Sequence, residues 1–222
     1  MKYPAVLSED QTLDAVLAGR SLARIGDGEL KLAAGRSIKA QTWNPEIAGI
    51  MLEVAKGGDG PCLAAIPNLA AHKLPKERQR YVSFCLDPRL VGLYGPGVYG
   101  SSFISRPDCA PHLDRPGYWA KLRSLWKDRD VVLVRGSGKG LHPEDLDPQA
   151  GFTEIHAPRV EAWAVFGDLF QQLKNERRTV LLCLGAVATA LAWRLAAEGV
   201  HAVDLGGVGR FMRASPHAAV AA

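Results

Sequence analysis

The sequence predicts an α/β fold, built on a Rossmann-like, doubly wound and mostly parallel sheet. Two observations predict it. Short apolar runs alternate with segments of helical periodicity along most of the 222 residues. In the last third, a buried strand (179–184), an Ala- and Leu-rich helix (187–198) and a second strand (201–205) form a β-α-β unit. Such a unit requires parallel pairing through a right-handed crossover.

The first quarter of the chain carries three helices and one strand. Ser8, followed three residues later by Gln11, is a capping box that opens the first helix. The apolar run 21–25 predicts a strand, and a short helix is expected over 29–34. Asn44-Pro45 then supplies an N-cap and a first-turn proline for the third helix.

The middle of the chain continues the alternation. The apolar run 62–66 lies between two prolines and predicts a strand, and a charged helix over 74–84 is opened by Pro75. Segment 92–108 is rich in glycine and aromatic residues, and is expected to form strand fragments and loops close to a ligand. A helix is expected over 118–126.

Two more strands and a helix precede the closing β-α-β unit. Segment 130–134 is the wholly apolar kind of strand found in covered parallel sheets. A short strand over 154–156 leads into a helix over 160–173. Together the elements predict one domain over 1–222, with a helical lead-in at 1–20 and a frayed tail at 214–222.

Composition excludes several classes of protein. Hydrophobic residues make up 47% of the chain, so a sizeable core is expected. The net charge of +4 is compatible with binding phosphate or an acidic acceptor, but it is smaller than the positive charge expected of a dedicated nucleic-acid binder. The four cysteines form no C-x-x-C pair, and Cys62 and Cys183 are expected in the core. Without a signal-peptide stretch or an apolar run of ~18 residues, a cytoplasmic location is expected.

Two carboxylates stand one residue apart where the strand at 21–25 ends. They are Asp27 and Glu29, and Gly28 between them lets the backbone turn closely around a ligand. Mg²⁺ and Mn²⁺ prefer such oxygen ligands and keep positions for substrate phosphates. The pattern therefore favours a metal–diphosphate site. The alternative is a helix start, with Asp27 as N-cap and Glu29 in the first turn.

Further candidates follow other strands, because ligands of an open α/β sheet bind beyond the carboxyl ends of its strands. Gly185 precedes a helix whose free N–H groups could hold a phosphate, with Thr189 adding a hydroxyl, although a tightly packed turn is equally compatible. Asp204 ends the last strand. Arg106, beside a proline-stiffened turn, could clamp a diphosphate or simply be exposed.

The loop GSGKG at 136–140 invites comparison with a P-loop. The loop does not match the P-loop motif, because Gly140 follows Lys139 where that motif requires Ser or Thr. The loop is instead expected to bring Lys139 to an anion. No G-x-S-x-G elbow is present, so a serine hydrolase is unsupported, and no two histidines have metal-ligand spacing.

Five blocks occur in one order between residues 23 and 207: ARIGDGELKL, SSFISRP, VVLVRGSGKG, IHAPRVEAW and CLGAVATALAWRLAAEGVHAVDLGG. In this order they resemble the blocks of the bacterial GT-D-fold glycosyltransferases, formerly a domain of unknown function. The resemblance implies a Rossmann-like domain of the GT-D type. It also implies transfer of a sugar, typically glucose, from a UDP-sugar to a hydroxyl acceptor, with Mn²⁺ or Mg²⁺ at a D-x-E motif.

Carried over, the resemblance makes Asp27 and Glu29 the metal motif. The cation would neutralise the charge that develops on the departing nucleoside diphosphate. Candidate substrate-binding residues lie in the matching blocks: Arg24, Gly26, Arg106, Lys139, Gly185, Thr189 and Asp204. The chain departs from the family pattern at Glu161, where Asn is frequent, at Arg135, where an acidic residue is frequent, and at Gly207, where His is frequent.

Because these departures concern the acceptor side, the acceptor stays open between a glycan and a hydroxylated base in DNA. Trp119, Trp126 and Trp163 are the aromatic residues considered for a DNA base. Glu161 is the candidate general base. A different class of function, a non-catalytic nucleotide-binding module in which Asp27 and Glu29 cap a helix, is the alternative.

Overall fold

The computed structural model describes residues 2–57, 60–72, 74, 76–136, 138, 140–146 and 151–218. The strands are β1 (Ala5–Val6), β2 (Ser21–Arg24), β3 (Cys62–Ile66), β4 (Val98–Ser101), β5 (Val131–Arg135), β6 (Phe152–His156), β7 (Thr179–Cys183) and β8 (Ala202–Asp204). They form one eight-stranded sheet in the order β1-β4-β3-β2-β8-β7-β5-β6. Every pair is parallel.

Helices cover both faces of this sheet. They are α1 (Glu9–Leu17), α2 (Asp27–Ala33), α3 (Pro45–Lys56), α4 (Gln79–Cys85), α5 (Pro88–Val91), α6 (Pro116–Arg123), α7 (Phe166–Leu173), α8 (Ala186–Ala197) and α9 (Val208–Ala214). Alternate residues of β5 point to opposite faces: Val132 and Val134 join the core under α3, α7 and α8, whereas Val131 and Leu133 join the core under α1, α6 and α9. The predicted doubly wound α/β fold is therefore confirmed.

The switch in strand order positions the site. β2 and β8, far apart in the sequence, are neighbours at the middle of the sheet. The chain runs outward from β2 through β3 to β4 on one side, and β8 pairs with β7 on the other. Loops that follow β2 and β8 therefore diverge, which opens a crevice at the carboxyl edge of the sheet.

Several helix boundaries differ from the prediction. The capping box of Ser8 and Gln11 is present at α1, and Asn44 caps α3. Residues 76–78 form a 3-10 turn before α4, and the predicted helix opener, Pro75, lies outside the described residues. The helix expected from 160 starts at Phe166, because Glu161 has a left-handed backbone (φ 56°) and a 3-10 turn follows it.

Three elements were not predicted: β1, α5 and α9. β1 is two residues long and exists through its pairing with β4. The tail predicted to fray from 214 packs against the domain as far as Ala218, which is buried, while 219–222 lie outside the described residues. In the described part of the chain, every helix is too short or too polar to cross a membrane.

Candidate active site

A polar cavity of about 180 Å³ lies where β2 and β8 end. Most of the residues predicted from sequence line it: Arg24, Gly26, Asp27, Glu29, Arg106, Gly185 and Asp204. They come from the ends of β2 and β8, from the start of α2 and from the loops after β4 and β7. The all-parallel sheet brings these ends to one edge, which is why residues 180 positions apart, such as Arg24 and Asp204, meet.

A second cavity, of about 660 Å³, adjoins the first, since Gly185 and Gly206 line both. Its walls are the glycine-rich turns after β5, β7 and β8, together with Pro158 to Val160 after β6. Lys39 and Ala40, from the loop between α2 and α3, form another side. The crevice therefore has a small polar end and a large end lined mostly by backbone and apolar groups.

Asp27 and Glu29 occupy the first turn of α2. The N-cap is Gly26, not Asp27, and its N–H donates to Glu29 Oε2 at 2.8 Å. Asp27 Oδ2 pairs with Lys31 Nζ at 2.7 Å, one helical turn on. Among the described residues, no hydrogen bond reaches Asp27 Oδ1 or Glu29 Oε1. Each carboxylate thus uses one oxygen in a contact at or within α2, while its other oxygen has no hydrogen bond from the described residues.

The electrostatics favour a cation at this point. Burial, with a smaller contribution from the negative charges of Asp204 and Asp27, raises the pKa of Glu29 to about 7 against the opposing effect of backbone hydrogen bonds. Within the described residues, no group of three or more His, Cys, Asp or Glu side chains forms a complete metal site. Two carboxylates with free oxygens fit Mg²⁺ or Mn²⁺, which commonly take their remaining ligands from water and substrate phosphates.

Glu29→Gln is expected to change how stability depends on pH when EDTA removes metal. The raised pKa means that the folded state holds the Glu29 proton while the unfolded state, with a pKa near 4.5, has released it. The free energy of unfolding of the wild type, relative to the variant, should therefore fall as the pH rises from about 4.5 to 7, by up to about 3 kcal/mol, and level off above pH 7. Thermal unfolding of both proteins between pH 5 and 8.5 measures this. A difference that does not vary with pH would contradict it.

Arg24 and Asp204 form a buried ion pair at the base of the polar cavity. Arg24 Nη2 lies 3.0 Å from Asp204 Oδ1, and Arg24 Nη1 donates to Ser105 Oγ at 2.7 Å. The Nε of Arg24 is buried with no partner among the described residues. Thr189 is fully buried, with its hydroxyl 2.8 Å from the carbonyl oxygen of Arg24 and 3.2 Å from Asp204 Oδ2. Thr189 therefore supports the pair from beneath and does not reach the cavity.

The backbone of Gly206 packs directly against the guanidinium of Arg24 in this ion pair. A Cβ at this position would lie 2.0 Å from Arg24 Nη2, and the backbone is left-handed (φ +53°). Gly185 also has a positive φ (+62°), but a Cβ there would have no atom within 4 Å. Gly206 is thus a packing requirement of Arg24, whereas Gly185 leaves open space beside the N-terminus of α8.

Arg106 lines the polar cavity, with its guanidinium held by Asp108. Its Nε and Nη2 atoms contact the two carboxylate oxygens at 2.7 and 2.8 Å, and Arg78 binds the same carboxylate. Arg106 is therefore a positioned cation rather than a freely exposed one. Two arginines on one aspartate leave net positive charge beside the cavity.

The structure places two other predicted residues differently. Lys139 lies outside the described residues. Glu161 lines neither cavity: its carboxylate oxygens accept hydrogen bonds from Gln41 and Thr42. Sequence reasoning missed Tyr81, which lines the polar cavity from α4, and no local signal distinguished it.

The aromatic residues considered for a DNA base do not form a stacking surface. Trp119 and Trp126 are core side chains, 1% and 0% exposed. Trp163 is partly buried, and its ring stacks on Phe166 with centroids 4.3 Å apart. Trp119 and Trp126 are therefore not available to stack on a DNA base, because these large apolar side chains fill the core beside α6.

Comparisons with known proteins point to one family. The model of the family "Glycosyltransferase GT-D fold" matches residues 22–210. Among curated proteins, the chain is 31% identical to "Probable glycosyl transferase Gly" of Streptococcus gordonii over 91% of its own length and 32% of that protein. It is 27% identical to "Glycosyltransferase GlyD" of Streptococcus pneumoniae serotype 4, over 89% and 26%. The chain thus spans about a third or less of these relatives.

Solved structures share the fold over most of this chain. One, "A New Glycosyltransferase (DUF1792) from Streptococcus sanguinis", superposes with a TM-score of 0.81 at 30% identity, over 94% of this chain and 83% of that one. Another, described as a highly conserved domain of unknown function 1792 with a distinct glycosyltransferase fold, gives 0.83 at 24% identity, over 94% and 80%; this second likeness concerns the fold alone. With the family model covering most of the chain, the protein belongs to the GT-D-fold glycosyltransferase family.

Proposed function

We propose that this chain is a metal-dependent glycosyltransferase that moves a sugar, glucose in the first instance, from a UDP-sugar to a hydroxyl group of a glycan. The observation that carries the proposal is the pair Asp27 and Glu29. Both line a small polar cavity, each has one carboxylate oxygen with no hydrogen bond from the described residues, and this cavity adjoins one of about 660 Å³, large enough for a nucleotide.

The proposed donor lies across both cavities. Its nucleoside occupies the large cavity, and its diphosphate lies at Gly185, where α8 begins. α8 has 12 residues, and the partial positive charge of its N-terminus favours a diphosphate. A divalent cation bound by Asp27 and Glu29 supplies positive charge that stabilises the departing nucleoside diphosphate. Arg106, held by Asp108, adds fixed positive charge from the other side.

For the acceptor we propose a glycan hydroxyl. Two of the three aromatic residues considered for a DNA base, Trp119 and Trp126, are buried in the core, which counts against a DNA acceptor. The other candidate function, nucleotide binding without catalysis, is favoured by the capping role of Glu29, whose Oε2 accepts the Gly26 N–H. The two functions differ in whether binding needs a metal and whether sugar is released.

The test is thermal unfolding of the wild type with nucleoside diphosphates and UDP-sugars, each with Mn²⁺, Mg²⁺ or EDTA, followed by assay of sugar release. A ligand at ~100 times its Kd adds about 2.7 kcal/mol, a rise on the order of 5–10 °C for a chain of this size. We expect a rise with uridine ligands that EDTA abolishes, and metal-dependent release of sugar. A rise that survives EDTA, without sugar release, would instead support the non-catalytic module.

A further inference from the structure

We infer that Glu161 is a positioning residue for donor binding: its carboxylate fixes the loop that carries Lys39 over the large cavity. The kinetic test of this inference rests on the proposed function, whereas the contacts that support it are those of the ligand-free structure. The loop is residues 37–43, between α2 and α3, and is called the 37–43 loop here.

The 37–43 loop forms a tight hairpin whose tip enters the crevice. Ile38 and Gln41 form an isolated antiparallel bridge, with the N–H of Ile38 donating to the carbonyl of Gln41 at 2.9 Å. Lys39 and Ala40 are therefore the two residues of the turn, and both line the large cavity. Lys39 is exposed and forms no ion pair with the described residues. The turn thus presents a cation to a ligand in the cavity.

Glu161 attaches this hairpin to the loop between β6 and α7. Its N–H donates to the carbonyl oxygen of Ala40 at 2.9 Å. Its Oε1 accepts from the N–H and the hydroxyl of Thr42 at 2.9 and 2.7 Å, and its Oε2 accepts from Gln41 Nε2 at 2.9 Å. Gln41 is 4% exposed, and its Oε1 accepts from the N–H of Trp163 at 3.1 Å. Each of the two loops therefore both donates hydrogen bonds to the other and accepts hydrogen bonds from it.

The backbone conformation of Glu161 indicates that this arrangement is maintained against an unfavourable conformational free energy. A left-handed conformation is unfavourable for a residue with a Cβ, and it persists only where surrounding contacts determine it. Here those contacts are the hydrogen bonds to Gln41 and Thr42. Since Arg159 and Val160, just before Glu161, also line the cavity, the attachment sets the distance between two of its walls.

This geometry separates positioning from general-base catalysis. A general base needs an oxygen within reach of the acceptor hydroxyl, whereas both Glu161 oxygens accept hydrogen bonds from the 37–43 loop. Glutamine can replace the acceptor oxygen toward Thr42 but cannot remove a proton. The Gln and Ala variants therefore distinguish the two roles.

The experiment compares Glu161→Ala, Glu161→Gln, Thr42→Val and the double variant Glu161→Ala/Thr42→Val with the wild type. We expect Glu161→Ala to raise the KM for the donor on the order of tenfold with kcat within about threefold. Glu161→Gln should raise KM less, because its amide oxygen still accepts from Thr42 while its NH2 group faces the Gln41 Nε2 donor. Thr42→Val should raise KM a few-fold alone and add nothing to Glu161→Ala, because both act through one contact. Glu176→Gln is the control, since Glu176 also accepts backbone N–H groups but precedes β7 at the opposite edge of the sheet.

A second measurement does not depend on catalysis. Amide hydrogen exchange of the ligand-free proteins should show faster exchange at residues 37–43 in Glu161→Ala than in the wild type, with Glu161→Gln between the two. Equal loss of kcat in Glu161→Gln and Glu161→Ala, with donor KM and loop protection unchanged, would overturn the inference in favour of a general base. If the wild type transferred no sugar, the proposed function would fail, and loop exchange alone would decide the role of Glu161; unchanged exchange would then overturn the inference.

Discussion

Replacing Asp27 by Asn and Glu29 by Gln together is expected to abolish metal-dependent donor binding and to lower sugar transfer on the order of a thousandfold. The amides keep the size of both side chains, and the amide oxygen introduced by Glu29→Gln can still accept the Gly26 N–H that closes the start of α2. The variant should therefore fold, while the charge that attracts the cation is gone. The measurements are the Mn²⁺-dependent rise in Tm with UDP and the rate of sugar release.

The control for this experiment is Glu46→Gln. Glu46 is also an acidic residue in the first turn of a helix, α3, but it is exposed and lines neither cavity. Its loss removes a favourable interaction with a helix dipole and nothing else. If the Asp27/Glu29 variant and Glu46→Gln both kept the metal-dependent rise, the two carboxylates of α2 would be helix-start residues only, and the metal site would be refuted.

Asp204→Asn is expected to lower the free energy of unfolding by about 3–5 kcal/mol, because it leaves the Arg24 charge buried without its partner. The side chains of Arg24 and Asp204 are 12% and 4% exposed, so water cannot take over the solvation of the guanidinium. For a chain of this size, such a loss corresponds to a fall in Tm of roughly 10 °C. Urea and thermal unfolding of both proteins measure it.

Glu53→Gln is the matched control for the ion pair. Glu53 pairs with Arg194 at 3.0 Å on the surface, with side chains 47% and 40% exposed. Exposed pairs contribute about 0–1 kcal/mol, so little change is expected. A similar small change in Asp204→Asn would mean that Arg24 finds other partners, and that Asp204 is dispensable for the architecture of the site.

Much of the fold and part of the site follow from local pattern. β3 matches the predicted strand at both ends, because five apolar residues are bounded by Pro61 and Pro67. Asp27, Glu29 and Asp204 were predicted to meet because they follow strands of a parallel sheet, whose carboxyl ends share one edge. The order of strands and helices along the sequence is therefore enough to predict that these residues share one edge of the sheet.

The contacts of individual side chains required the structure. Glu161 is about 120 positions from Gln41 and Thr42, and no periodicity connects them. Thr189 stands in the first turn of α8, where a ligand would find it, yet its hydroxyl donates to the carbonyl oxygen of Arg24 and to Asp204 Oδ2. Local sequence predicts which element a residue belongs to, whereas these partners are set by how distant elements pack.

The close contact between Gly206 and Arg24 has a consequence for how this protein can vary. Because any Cβ at 206 meets the guanidinium at 2.0 Å, substitutions at 206 depend on which residue stands at 24, and the residue at 24 depends on the charge at 204. We expect the three positions to be epistatic. A library randomised at 206 alone should return glycine; changing positions 24 and 204 in the same molecule removes the contact with the guanidinium, while the left-handed backbone at 206 still favours glycine.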